Sequence, residues 1–139
     1  MGFILLFIAV SIFAPIGEEI LFRGFLQQFL EQYWKDTTKA ILVTSLIFSA
    51  IHFNPYWFIQ IYLLGIMLGF LTWKTNSVIP SIILHGLNNT MAMLFSFSDS
   101  GESSFYTYNG HVAPWIIIFA VLFTISGFKM INQVKNKKL

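Results

Sequence analysis

The chain has no cysteine, and only 10% of its 139 residues are charged. The first absence removes disulfides and thiolate metal sites from consideration. The second excludes more. Soluble domains carry about 25% charge, so a chain this poor in it has too little polar surface to face water. Hydrophobic residues make up 56%, and mean hydropathy is +0.72. These values describe an all-α, polytopic transmembrane helical bundle, read as a single membrane-embedded domain over 1–139. The opening run MGFILLFIAVSIFAP lacks a positive n-region and a small-x-small cleavage site, so it reads as a retained helix and not as a secretory leader. No repeat or low-complexity tract is present. The net charge of +2 is small, and nucleic acid is not an expected partner.

What is there falls into five apolar segments, roughly 2–33, 39–54, 56–73, 77–97 and 113–131. A bilayer core of about 30 Å takes about 20 helical residues, so five crossings are expected, the first long and the second short. Pro15 should disturb the first helix, because it cannot donate to the ladder. Asn54 and Pro55 mark a turn. Gly65 and Gly69 have the small-xxx-small spacing that permits close helix approach. The stretch 96–111 reads as a polar connector.

Five crossings put every lysine on one side: Lys35, Lys39, Lys74, Lys129, Lys135, Lys137 and Lys138. The other side holds Asp99 and Glu102 and no Lys or Arg. By the positive-inside rule the lysine side is cytoplasmic in a cell membrane. Trp34 and Trp73 fall at that end, Trp57 and Trp115 at the outer one, as an aromatic belt requires.

Once the end lysines are set aside, few polar groups remain at depth. They are Glu18, Glu19 and Arg23 on the first segment, His52 on the second, and His85, Asn88 and Asn89 on the fourth. Ionisable groups in a span are expensive and mark function. At about 1.5 Å per residue, Glu18, His52, Asn89 and His85 lie about 22, 20, 18 and 12 Å from the cytoplasmic ends. Glu19 and Arg23 are i,i+4 and can pair, which by itself describes a structural ion pair. Phe48 and His52 share that spacing, as do Ser81, His85 and Asn89. Glu18 lies about 100° round the helix from Glu19, so one carboxylate can hold Arg23 while the other faces the histidines.

This inventory suits hydrolysis of an amide bond. A carboxylate and a histidine can hold and deprotonate water, while a second histidine and an amide N–H can donate to an oxyanion. Glu18, His52 and His85 can also ligate a divalent metal such as Zn²⁺, although the H-E-x-x-H pattern is absent.

In order, the chain carries EEILFR (Glu18, Glu19, Arg23), FSAIH (Phe48, His52) and HGLNN (His85, Asn89). These resemble the E-E-x-x-x-R, F-x-x-x-H and H-x-x-x-N motifs of the CPBP (Abi) family, which includes the type II CAAX prenyl endopeptidases. The resemblance covers roughly residues 10–93 and implies an intramembrane endopeptidase, commonly labelled a metalloprotease. It further implies that Glu18 and His52 activate water, that His85 and Asn89 stabilise the oxyanion, and that Glu19, Arg23 and Phe48 support the site. The expected partners are the bilayer and a membrane-associated peptide or protein substrate. Family members usually have helices before the first motif, so the chain reads as a short member or one lacking N-terminal helices. Two other readings stand beside the protease. One is a non-enzymatic bacteriocin self-immunity protein, as the family implies for some members. The other is an ion pathway, against which stands the lack of a polar stripe running through the bilayer.

Overall fold

Gly2–Trp34 forms one continuous helix, α1, in a computed structural model that describes residues 2–98, 107–108 and 111–112 and positions 114, 118, 122 and 129. Three further helices follow: α2 (Thr37–Ala50), α3 (Phe58–Thr75) and α4 (Ile79–Ser98). The chain divides into two units, 1–97 and 98–139. In the second, β1 (Thr107–Tyr108) pairs antiparallel with β2 (His111–Val112), Thr107 opposite Val112. The connector read from sequence thus contains a small hairpin, the one β element among the described residues. Of the fifth expected segment only positions 114, 118, 122 and 129 are described, so a fifth helix lies outside the described residues, as do Asp99, Glu102 and Trp115.

Along α1 the turns Ala9–Phe13 and Ile20–Leu26 are π-helical, and Ala14–Glu19 between them is α-helical. Pro15 accounts for the first. It has no N–H for the Ser11 carbonyl, and its ring crowds that oxygen. The helix widens instead of ending, and the Ala14 N–H reaches back to Ala9 O. The irregularity expected at Pro15 therefore takes the form of a π-turn.

The wide turns also straighten a row of side chains. At about 3.6 residues per turn, a step of four overshoots one revolution and drifts round an α-helix. A π-turn closes its hydrogen bonds over five residues, so the same step undershoots. Alternation cancels the drift. Ser11, Pro15, Glu19, Arg23 and Gln27 are all buried, each four residues from the next. Four of the five are polar, so a buried polar row, interrupted at Pro15, runs along α1 over roughly 24 Å at about 1.5 Å per residue. The sequence showed no polar stripe, and on α1 the structure has this interrupted one.

That row meets α3. Arg23 NH2 donates to Gly65 O and Gln27 Nε2 to Gly69 O, each at 3.1 Å and each across 42 positions. The constant offset makes α1 and α3 parallel. Both glycines are needed at this seam. A Cβ on Gly65 would stand 3.0 Å from Ser45 Cβ and 3.2 Å from Ser45 Cα. One on Gly69 would stand 2.8 Å from Gln27 Oε1 and 3.0 Å from Ile41 Cγ2. The small-xxx-small spacing is thus the place where α3 closes on α2 and α1.

α1 and α3 finish at matching levels, each capped by a left-handed residue, Lys35 (φ 56°) and Asn76 (φ 52°). Asp36 then caps α2 by accepting from the Lys39 N–H at 2.9 Å. Lys35, Lys39 and Lys74 consequently share one end. The opposite end carries Phe53 and Tyr56, more than 90% exposed, and Trp57. Outer faces are apolar: Leu5, Phe13, Phe25, Leu63 and Leu87 are exposed, while hydroxyl, amide and charged groups are buried. A bundle with its polar side chains inside and its apolar ones outside suits lipid. Of the five expected spans, α1 and α3 are long and apolar enough to cross a membrane. α2, with 14 residues, and α4, with its polar stripe, do not meet that standard.

Candidate active site

Glu19 is the fixed point of the site. It is completely buried, and its Oε1 accepts from Arg23 NH1 at 2.6 Å and from His85 Nδ1 at 2.9 Å. Arg23 is equally buried, gives NH2 to Gly65 O, and lies with Cζ 4.4 Å from the centroid of the Phe48 ring. A buried charge is tolerable only when paired and hydrogen-bonded. Here α1, α3 and α4 together supply the partners, and Phe48 of α2 supplies a cation–π face.

The sequence led us to expect that Glu19 holds Arg23 while Glu18 faces the histidines. Both hold for His85, with an addition. Because Glu19 accepts from its Nδ1, the neutral imidazole carries its proton on Nδ1 and leaves Nε2 as an acceptor. That Nε2 stands 3.8 Å from Glu18 Oε2. Glu18 is the open member of the pair, with its side chain 31% exposed against 3% for His85. Its Oε2 is a buried atom with no hydrogen-bond partner among the described residues.

His52 departs from the expected place. α2 stops at Ala50, and His52 lies in the turn beyond it, exposed. The cause is local. Pro55 disfavours helical backbone at Asn54, Phe53 turns left-handed at φ 49°, and Asn54 Oδ1 collects the N–H groups of Tyr56 and Trp57. His52 Nδ1 donates to Phe48 O at 2.7 Å, since a carbonyl can only accept, so its Nε2 is also free. Among the described residues no hydrogen bond or ion pair joins His52 to a carboxylate. Phe48 stands between the motifs instead. Its ring centroid is 4.8 Å from that of His52 and 5.6 Å from that of His85. The expected supporting Phe48 is the hub of three motifs.

Asn89 reaches α1 from α4. Its Nδ2 donates to Val10 O at 3.1 Å. The Ala14 N–H has gone to Ala9 O and Pro15 has none, so the π-turn leaves this carbonyl without a backbone donor. One turn earlier, Gly86 lies against Ser11 O, where a Cβ would come within 2.8 Å. Ser81 donates to Leu68 O at 3.0 Å and is hydrogen-bonded to Thr72. The i,i+4 stripe Ser81, His85, Asn89 therefore points inward throughout, while Asn88 is exposed.

The histidine tautomers suit a metal, since each Nδ1–H is tied to an oxygen and each Nε2 is free. The assembly does not. Among the described residues no three of His, Asp and Glu gather closely enough to hold an ion, and the set Glu18, His52 and His85 is not brought together. Three contributors escaped the sequence reading: Gln27, Gly86 and the Glu19–His85 bond. Gln27 continues the Glu19–Arg23 spacing by four, and Gly86 adjoins His85. Nothing in the sequence marks a bond across 66 positions.

Comparison with known proteins accounts for this grouping of motifs. Residues 1–91 match the type II CAAX prenyl endopeptidase Rce1-like family. An uncharacterized 24.3 kDa protein of Escherichia coli is 30% identical over 96 residues, covering 66% of this chain and 44% of that protein. Two Lactococcus lactis proteins are also similar. UPF0177 protein YbdI is 30% identical over 64% of this chain and 48% of its own, and UPF0177 protein YaiF 34% identical over 64% and 39%. The chain spans less than half the length of each of these relatives. No solved structure matches it. With most of its length matched and all three motifs lying inside or next to one buried cluster, the chain belongs to the Rce1-like type II CAAX prenyl endopeptidase family, whose members are membrane-embedded.

Proposed function

We propose that the chain is an intramembrane endopeptidase that cleaves a peptide bond of a membrane-associated protein or peptide, using water activated by Glu18. The observation that carries this reading is the 3.8 Å separation of Glu18 Oε2 and His85 Nε2. Both are acceptors, and one water can donate a hydrogen to each at ordinary hydrogen-bond lengths of about 2.8 Å. Glu18 takes the proton as the water oxygen attacks the carbonyl carbon, and passes it to the leaving nitrogen. His85 shares the water's second hydrogen at Nε2. The ionised Glu19 behind Nδ1 stabilises any positive charge that the ring acquires, so the same Nε2–H can then be given to the oxyanion. General-base catalysis contributes about 10²–10⁴-fold, and one oxyanion donor about 10²–10³-fold.

His52 is exposed with its Nε2 free, and Asn89 has a second Nδ2 hydrogen to offer a substrate. Family membership supports the reaction class. The lysine-bearing end faces the cytoplasm in this reading.

The test uses the chain reconstituted in vesicles with a labelled membrane-spanning peptide library. Glu18→Ala and His85→Ala should abolish cleavage while both proteins still insert. Cleavage by Glu18→Ala at the wild-type rate would overturn the proposal.

A further inference from the structure

A hydrolase whose carboxylates lie inside an apolar bundle needs a way to bring its co-substrate in. The α1 row has the chemistry for one. Ser11 Oγ, Glu19 Oε2, Arg23 Nε and Gln27 Oε1 are buried polar atoms without a hydrogen-bond partner among the described residues. Buried polar groups are otherwise satisfied, and an unsatisfied one is costly to the fold. Along the row the types are matched for bridging: a hydroxyl that does both, a carboxylate that accepts, a guanidinium N–H that donates and an amide oxygen that accepts. Glu19, Arg23 and Gln27 follow one another at single four-residue steps, about 6 Å, which is the reach of a single water between two polar atoms, and Ser11 stands two such steps beyond Glu19.

The row also opens somewhere. Gln27 lines a cavity of about 320 Å³ at the lysine-bearing end, with Glu31, Thr72, Trp73 and Asn76 among its other walls. Gln27 Nε2 is held at 3.1 Å by Glu31 Oε1 and by Gly69 O. The amide is therefore clamped at the boundary between cavity and row. Its oxygen lies against Gly69, where a Cβ would stand 2.8 Å away.

We propose that water enters from this cavity and passes Gln27 and Arg23 along the π-straightened face of α1 to reach the carboxylates. Gln27 is the positioning residue of the route and Glu31 its collar. The assignment rests on the hydrolase reading for its purpose, but its test does not need turnover.

Hydroxyl radicals generated by X-rays from bound water label the side chains next to that water, and mass spectrometry reads the label. In nanodiscs, Phe22 and Phe48, both buried and packed around Arg23, should be oxidised in the wild-type chain. Gln27→Leu should lower that oxidation at least threefold and leave the exposed Phe53 and Tyr56 unchanged. Should Gln27→Leu fail to fold, Gln32→Phe, at an exposed position on the cavity rim, closes the mouth without touching the row and must give the same loss. Unlabelled Phe22 and Phe48 in the wild type, or labelling indifferent to the folded variants, overturns the route. Peptide cleavage measured on the same samples separates the two ideas. Label loss without any cleavage in the wild type keeps the route and removes the protease, and the reverse result keeps the protease and removes the route.

Discussion

Glu18 and Glu19 are neighbours in sequence and opposites in surroundings. Glu19 is sealed between α1, α3 and α4, with Arg23 and His85 on one oxygen. Glu18 is 31% exposed, and among the described residues its carboxylate comes near only His85 Nε2, beyond hydrogen-bond distance. One half of the site is closed and over-determined, the other open and thinly bonded. The contrast teaches that the closed half sets tautomer and position, while the open half has spare capacity for a reactant. A carboxylate already bonded to an arginine and a histidine cannot also serve as a free base.

The sharpest way to break that contrast is to exchange the two acids. Glu18→Gln should lower kcat for peptide cleavage about 10²–10⁴-fold, the worth of a general base, with no change in thermal unfolding in detergent. A Glu18→Gln protein that keeps its rate would mean that the open half does no chemistry. Glu19→Gln should act on the fold instead. It leaves Arg23 as a buried charge without its counterion, a loss of about 3–5 kcal/mol, read as a large fall in resistance to unfolding. If Glu19→Gln unfolds like the wild type, the closed half is not the structural anchor described here.

A smaller effect tests how the closed half is assembled. Gly65→Ala would press a methyl group to 3.2 Å from the Ser45 backbone carbon, and α3 would have to retreat from α2, at about 1–3 kcal/mol for such overpacking. Gly69→Ala meets chiefly the Gln27 and Ile41 side chains, which can turn away, so its cost should be less. Equal costs would show that the backbone approach at Gly65 is not special.

The sequence was informative wherever contacts are local. The Glu19–Arg23 pair, the inward stripe Ser81, His85 and Asn89, and the Gly65–Gly69 spacing all follow from four-residue periodicity. It was less informative where that periodicity changes. A fixed α-helical turn could not anticipate that two π-turns would carry the row on to Gln27, although Pro15, just beyond the first, marks its cause. His52 was assigned to a helix that in fact ends two residues earlier, and the Asn54–Pro55 pair already pointed to that boundary. The Glu19–His85 bond joins residues 66 apart, and periodicity is silent at that range. The same reading that located the ion pair and turned Glu18 toward His85 therefore missed the Glu19 bond behind that histidine and set His52 in the wrong surroundings.

Asn89 has yet to be assigned to either half. Its amide fills a carbonyl, Val10 O, that is left open by the π-turn ahead of Pro15, which is the behaviour of a positioning group in the closed half. Asn89→Ala should then cost about 1 kcal/mol, the net value of one hydrogen bond. The cost should depend on Pro15. In a Pro15→Ala background the helix can return to α-register, and the Ala14 N–H becomes available to Val10 O, so the Asn89→Ala penalty should vanish. A double-mutant cycle measures this as a coupling of similar size. Cleavage rates on the same four proteins finish the assignment. If Asn89 only holds α4 in place, the rate lost in Asn89→Ala is regained in the double variant. If its second amide hydrogen meets the substrate, stability returns and the rate does not, and Asn89 then belongs with Glu18 in the open half.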